Sequence, residues 1–567
     1  MTDTNEKHII SGTPAVIVKD LSFTPEGGSR RILDSVSFSL GEGELVLLAG
    51  PTGSGKSTLL RALKPEPPMK GRLEGRITVC GRNISDFSSA EQAAAIGYVA
   101  QDPETQIVTD RVESELAFGP ENIGMPPSLI GLRVAEAASW FGLDQLTGTE
   151  TSVLSGGKKQ LLNLASAAAL KPRLLLLDEP TAELDPVAAD SFISAVKRLV
   201  REFGITVIIA EHRLSALTGD ADRLLILNEG RLVSDSSPRD GIPVLLSIPG
   251  TLPEAPAAAV LAHRLGYPDK SFTGISDGRE FVRGLKKTAQ PESERKPDTS
   301  KDKEAAKGSE TALKFENVSF RYGKNSRDVL SGLSFAVGEG EMLSLLGGNG
   351  AGKSTVLYTA AGLLSPYTGN VSVYGKKVRK NDGRKKPGSG RIAIVPQNVR
   401  LLFSGLTVAE ELAKAGVSPE NLPYGPDFDF AGIAGCCSYD LSGGEAHMLG
   451  LALALASEPD VLLLDEPTCG LDGAATEALG RALMSLKAKG VAIITVTHSV
   501  AFAAEYSDRV ALLFCGRIAG EGTPRTFFSD AAFFTTDIRR ITEGSADNAV
   551  TISDALRFFE PYKEDTE

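Results

Sequence analysis

Short strings of apolar residues, each closed by glycine or by charged residues, punctuate this chain. GELVLLAG (43–50) and GEMLSLLGG (340–348) end in glycine and run straight into a helix-like stretch. RLLLLDE (173–179), ITVIIAEH (205–212), DVLLLDE (460–466) and VAIITVTH (491–498) are similar runs that end on acidic residues or histidine. None alternates polar with apolar, so each predicts a strand buried on both faces. Strands of this kind between helical stretches predict an α/β fold with a mainly parallel sheet covered on both sides.

The strings recur in order. GPTGSGKSTLL (50–60) returns as GGNGAGKSTVL (347–357), LSGG at Leu154 returns at Leu441, and LLLLDEPT ending at Thr181 returns as VLLLDEPT ending at Thr468. The lysines stand 297 positions apart (56 and 353) and the LSGG leucines 287 apart (154 and 441). A period this long means a duplicated domain and not a solenoid. The drop in offset makes the first copy longer between Gln101 and Leu154 than the second between Gln397 and Leu441.

The expected organisation is a first domain over 14–240, its C-terminal extension over 241–285, a linker over 286–311, a second domain over 312–530 and a tail over 531–567. The linker stretch is about half charged, of both signs, without apolar periodicity. As a coil it would span ~28 Å. The extension and the tail have globular composition but no legible chemistry.

Composition narrows the class. Hydrophobic residues at 42% and charged residues at 23% are ordinary for a soluble globular protein. A net charge of -12 argues against a general nucleic-acid binder. The five cysteines lack metal or disulfide spacing and predict reduced thiols. The opening MTDTNEKHII carries no signal-peptide pattern, and no apolar run is long enough to span a bilayer. A membrane role would therefore need another chain.

The chemistry is concentrated in the repeated strings. Gly50, Pro51, Thr52, Gly53, Ser54, Gly55, Lys56, Ser57 and Thr58 match a phosphate-binding loop, as do Gly347, Gly348, Asn349, Gly350, Ala351, Gly352, Lys353, Ser354 and Thr355. Glycines let backbone N–H groups wrap phosphates, and the helix start adds positive potential. Lys56 and Lys353 are expected on the β- and γ-phosphates, with Ser57 and Ser354 on Mg²⁺. Asp178 and Asp465 end strands as a Mg²⁺-organising carboxylate should, although a strand-end aspartate serves as often as a helix cap. Glu179 and Glu466 follow as candidate general bases for an attacking water. His212 and His498 recur at matched positions and are candidate γ-phosphate contacts.

This set resembles the ATP-binding-cassette ATPases. The resemblance implies two P-loop nucleotide-binding domains in tandem. Each would be a RecA-like, mainly parallel sheet core with an antiparallel β subdomain and a helical signature subdomain. It makes Gln101 and Gln397 the Q-loop residues, adding them to the Mg²⁺ set of Ser57, Asp178, Ser354 and Asp465. It makes Ser155, Gly156 and Gly157 one signature, Ser442, Gly443 and Gly444 the other, and Asp185 and Asp472 the D-loop residues.

It further implies an intramolecular pseudo-dimer whose two sites are composite. Lys56, Asp178, Glu179 and His212 would work with Ser442 and Gly444, and Lys353, Asp465, Glu466 and His498 with Ser155 and Gly157. Tyr322 stands where the family stacks an aromatic ring on adenine. Pro25 is its counterpart in the first half, so stacking there would be weaker or would fall to Phe23. His447, after the second signature, reads as a helix-surface residue.

QDPETQIVTDRVESELAFGPEN (101–122) resembles the corresponding segment of energy-coupling-factor ATPases of metal-ion and vitamin uptake. The resemblance implies a transmembrane coupling protein and a solute-binding membrane protein as partners, with the chain at the cytoplasmic face of the membrane. Asp102, Glu104, Glu113 and Glu115 are expected to pair with arginines of a coupling helix. A soluble tandem cassette acting on ribosomes or nucleic acid, and a sugar-importer ATPase, remain the alternatives.

Overall fold

The computed structural model describes residues 14–28, 30–64, 69–212, 214–288, 310–324, 326–378, 391–417 and 430–560. The chain divides into two compact units, residues 1–263 with 267–274, and residues 264–266 with 275–567. Most of the expected linker lies outside the described residues.

In the first unit the apolar strings become strands buried at every position: Leu45–Ala49, Leu174–Asp178 and Thr206–Ala210. They build a six-stranded sheet in the order Arg231–Ser236, Arg223–Asn228, Leu45–Ala49, Thr206–Ala210, Leu174–Asp178, Ile96–Val99. Only the first two strands in that order pair antiparallel; all other pairs are parallel. One face packs on helix Lys56–Leu63 and on a separate four-stranded antiparallel sheet, in a core that joins Val46, Leu48 and Leu176 to Leu59, Leu60, Val16 and Val36. Helices Val112–Asn122, Pro127–Trp140 and Gly156–Ala169 pack together as a helical subdomain.

The second unit repeats the plan. Its sheet runs Ile392–Val395, Val461–Asp465, Ala492–Val496, Met342–Leu346, Arg509–Phe514, Arg517–Gly522, and again only the final pair is antiparallel. A four-stranded antiparallel sheet and helix Lys353–Ala360 cover one face. Helices Gly443–Leu455 and Gly473–Ala488 contribute Leu449, Leu451, Leu479 and Leu483 to the cluster on Leu462, Leu464 and Ile493. The expected α/β architecture is present in both halves.

One helix reaches three residues into the stretch expected as linker. Helix Ile275–Thr288, grouped by sequence partly with the extension and partly with the linker, belongs to the second unit. Its Arg279 guanidinium donates to the Arg540 carbonyl at 2.9 Å and pairs with Glu543 at 2.9 Å. The tail also folds: Ile538, Ile541 and Phe559 of helices Asp537–Thr542 and Ile552–Phe559 are buried.

One acidic residue of the first helical subdomain is committed inward. Glu115 is 5% exposed and accepts hydrogen bonds from the Val108 and Thr109 backbone N–H groups and the Thr109 hydroxyl, at 3.1, 2.8 and 2.9 Å. It caps the loop before helix Val112–Asn122, so it is spent inside the fold and not offered to a partner's arginine. Glu411 does the same in the second unit, taking the Ser404 and Gly405 N–H groups. Removing the acceptor would strand buried donors, so Glu115→Ala should cost about 1–3 kcal/mol. Exposed Glu113→Ala should stay within ~0.5 kcal/mol. Urea unfolding followed by the fluorescence of Trp140, the single tryptophan and part of this subdomain, measures both.

Candidate functional site

Parallel strands deliver their chemistry at their carboxyl ends. In the first unit Leu45–Ala49 runs into the glycine loop, Leu174–Asp178 ends on Asp178, and Thr206–Ala210 leads to Glu211 and His212. The loop must turn sharply to start helix Lys56–Leu63. Gly50 and Gly55 hold φ of 141° and 104°, and a Cβ on Gly50 would collide with the Leu227 carbonyl. Lys56 is 5% exposed, and its ammonium donates to the Gly50 and Pro51 carbonyls at 2.5 and 3.3 Å.

Asp178 accepts from the Ser57 hydroxyl and the Tyr98 phenol, both at 2.9 Å. Burial raises its pKa above the usual carboxylate value, and these two hydrogen bonds oppose the rise. Hard oxygens of a serine and a carboxylate brought together this way fit Mg²⁺. Gln101 lies just beyond strand Ile96–Val99, the neighbour of the Asp178 strand. Its approach is braced by Gln106, whose amide bridges the Ala100 N–H and the Tyr98 carbonyl at 2.8 and 2.9 Å.

Glu179 follows with φ of 46°, a left-handed conformation that costs a non-glycine residue about 1–2 kcal/mol. Its N–H donates to the Ala210 carbonyl at 2.9 Å, and its carboxylate lies 2.9 Å from His212 Nε2. The other ring nitrogen, Nδ1, lies 2.8 Å from Glu254, a carboxylate 2% exposed in the extension. Burial would lower the His212 pKa, but hydrogen bonds to Glu179 and Glu254 overturn that and push it up to about 9. Adjacent Glu211, fully buried, is pushed up to about 7 by desolvation, against hydrogen bonds from the Thr181 N–H and hydroxyl.

The second unit assembles the same set. Lys353 donates to the Gly347 carbonyl at 2.8 Å and lies 3.1 Å from His498 Nε2. Glu466, at φ 49°, is 3.2 Å from His498 Nε2 and accepts the His498 N–H at 2.9 Å. Asp465 is raised by desolvation and lowered by its hydrogen bond from Ser354 and by Lys353. Where Glu211 stands in the first unit, Thr497 stands here, 3.5 Å from Thr468. Gln397 is exposed beyond strand Ile392–Val395.

Each signature opens a helix. Ser155 precedes Gly156–Ala169 and makes no side-chain cap, whereas Ser442 forms a capping box with Glu445 ahead of Gly443–Leu455. Asp185 and Asp472 cap their helices by accepting from the Ala188 and Ala475 N–H groups. Fully buried Gln160 donates to the carbonyls of Ala100 and Pro180 at 2.9 and 3.1 Å, tying the signature helix to the residues beside Gln101 and Glu179. His447, expected on a helix surface, is partly buried; Nδ1 lies 2.9 Å from the Gly443 carbonyl, and Nε2 is buried.

At the adenine face Tyr322 is 66% exposed, its hydroxyl 3.1 Å from that of Thr355. Phe23, the sequence-level substitute in the first half, is 4% exposed inside the core. It is not available to stack. The expected acidic contact Glu104 is 71% exposed at its side chain and pairs with Lys159 at 2.5 Å.

A family profile and full-length relatives are consistent with this geometry. A family profile described as ABC transporter matches residues 33–182 and 330–469. A Bacillus cereus protein named as an ABC transporter ATP-binding protein is 36% identical over 550 residues, covering 95% of this chain and 96% of its own. A Streptomyces avermitilis protein of the same name is 34% identical over 92% of this chain and 96% of its own. A solved chain, cbiO1 from Clostridium perfringens, titled as part of the ABC transporter complex cbiONQ, is 29% identical with a TM-score of 0.37, covering 40% of this chain and 90% of that one. Two nucleotide-binding cassettes in one polypeptide, each with a complete phosphate loop, define the class. This chain belongs to the ABC transporter family, as a tandem ATP-binding protein with ATPase activity.

The His212 shift sets the sign of a pH effect. A histidine raised on folding contributes stability that is complete below its unfolded value near 6.5 and is lost as pH climbs through about 9. Glu211 acts in the same direction, its penalty developing above 4.5 and complete above about 7. His212→Gln should therefore destabilise the nucleotide-free first unit more at pH 6 than at pH 9.5, by about 1–3 kcal/mol. Trp140-monitored urea unfolding at the two pH values gives the difference; a pH-independent gap would contradict the ion-paired histidine.

Proposed function

We propose that this protein is the fused ATPase subunit of an energy-coupling-factor type importer, hydrolysing ATP at two composite sites to drive uptake through a membrane partner. The observation that carries the subfamily reading is the segment 101–122, QDPETQ to AFGPEN, within an otherwise complete tandem cassette. Exposed Glu104 and Glu113 accompany exposed Val108, Phe118 and Leu132, a mixture suited to a basic amphipathic coupling helix. The second half offers Arg400, Leu401 and Leu406 instead. One asymmetric membrane partner fits two unlike surfaces better than two identical partners do. No described helix is long and apolar enough to cross a membrane.

Within each site Lys56 or Lys353 gives up its loop carbonyls for the β- and γ-phosphates. Ser57 with Asp178 and Gln101, and Ser354 with Asp465 and Gln397, hold Mg²⁺, which when bound offsets phosphate charge. Glu179 and Glu466 take the proton of the attacking water, and His212 and His498 meet the terminal phosphate. Ser442, Gly443 and Gly444 cap the nucleotide of the first loop with helix-start N–H groups, and Ser155, Gly156 and Gly157 that of the second. Tyr322 stacks on adenine at the second loop.

Glu179→Gln and Glu466→Gln keep shape and lose the base. Each should bind ATP with near-parental affinity while kcat falls by about 10²-fold or more, read by equilibrium nucleotide binding and phosphate release. Parental hydrolysis by both would refute the assignment. Affinity capture from solubilised membranes should recover a multispanning membrane protein. Co-purification with ribosomes and no membrane protein would favour the soluble alternative.

A further inference from the structure

The extension after the first cassette reaches the site through Glu254, 2.8 Å from His212 Nδ1. Residues 238–263 fold onto the first unit as helix Pro238–Ser247, the turn Leu252–Glu254 and helix Ala257–Arg264. Thr251, wholly buried, anchors the turn by donating to the Ile248 carbonyl at 2.8 Å, and the Glu254 N–H closes it on Thr251 at 2.9 Å. Ala258, Ala259, Leu261 and Ala262 bury the helix that follows. The turn is therefore held from both ends, and its carboxylate is directed inward onto His212.

From this geometry we infer that Glu254 is a positioning residue for hydrolysis at the first phosphate loop: it fixes the orientation of the His212 ring from outside the cassette. With a carboxylate at each ring nitrogen, Nδ1–H donates to Glu254 at 2.8 Å and Nε2–H to Glu179 at 2.9 Å, so the ring is held at both edges. With Glu254 gone, the buried ring loses one of its two holds and is free to turn away from Glu179. The extension thereby becomes part of the hydrolytic apparatus, and a shift of its turn would change the rate at that loop without touching nucleotide. The inference rests on the assignment of His212 to the terminal phosphate.

The test uses the full-length protein, with steady-state ATP hydrolysis in Mg²⁺ as the readout. Glu254→Ala should lower kcat to the level of His212→Ala while leaving KM for ATP within about twofold. Such losses on removing a carboxylate behind a functional histidine run to about 10–100-fold where that site limits turnover. Glu254→Gln keeps an acceptor oxygen for Nδ1–H and should restore most of the lost rate. The double variant should be no slower than His212→Ala alone.

A parental rate for Glu254→Ala beside an impaired His212→Ala would overturn the positioning role. So would a double variant much slower than either single one, since Glu254 would then act elsewhere. A parental rate for His212→Ala would instead remove the underlying assignment, and this proposal with it. Should Glu254→Ala shift the Trp140 unfolding midpoint, the near-isosteric Glu254→Gln paired with His212→Ala decides the matter: Glu254→Gln as slow as His212→Ala overturns the role, and near-parental turnover supports it.

Discussion

Each half of this protein is organised around a lysine ammonium drawn inside the fold at the carboxyl edge of a parallel sheet. Lys56 and Lys353 are 5% and 7% exposed, and loop carbonyls take up their charge. Burying such a charge is costly unless it is compensated. The backbone must therefore bend into conformations that only glycine accepts, and the sheet must be parallel so that Asp178 and Glu179, or Asp465 and Glu466, arrive from the same edge. The strained φ of both glutamates belongs to the same solution. It turns the side chain off the strand axis toward the histidine of the neighbouring strand.

Much of this was legible in the sequence because it is local. Uninterrupted apolar runs gave the strands, the glycine-lysine-serine strings gave the loops, and a long-period repeat gave the duplication. Lys56, Ser57, Asp178, Glu179 and His212 do converge, as their positions at successive strand ends required. What escaped depends on contacts between residues far apart in the chain. Glu254 lies 42 residues beyond His212 in a turn of ordinary composition, and nothing in its neighbours marks it. Glu115 read as a partner contact because the segment that carries it, 101–122, resembles one that receives a coupling helix; only the fold shows it capping a loop. Phe23 read as a possible stacking ring because strand alternation alone does not say which face is the core.

The halves are not copies at the level of chemistry. The clamp made by Gln160 between the carbonyls of Ala100 and Pro180 has a histidine, His447, at the matching place in the second signature helix. A buried, raised-pKa Glu211 has a threonine for its counterpart. Ser155 leaves its helix start uncapped by a side chain, while Ser442 shares its own with Glu445. Each difference changes the number of donors or charges close to a candidate site residue. The framework is preserved and the second sphere has diverged.

The helix Ile275–Thr288 has a practical bearing on where the polypeptide divides. Charge composition places the seam at residues 286–311, from the last turn of this helix onward, yet Arg279 holds the helix to the carbonyl of Arg540 and the carboxylate of Glu543 in the second unit. Severing the chain in the hydrophilic stretch would deprive the downstream half of an element its terminal helices lean on. A break ahead of Ile275 keeps that element with its own half.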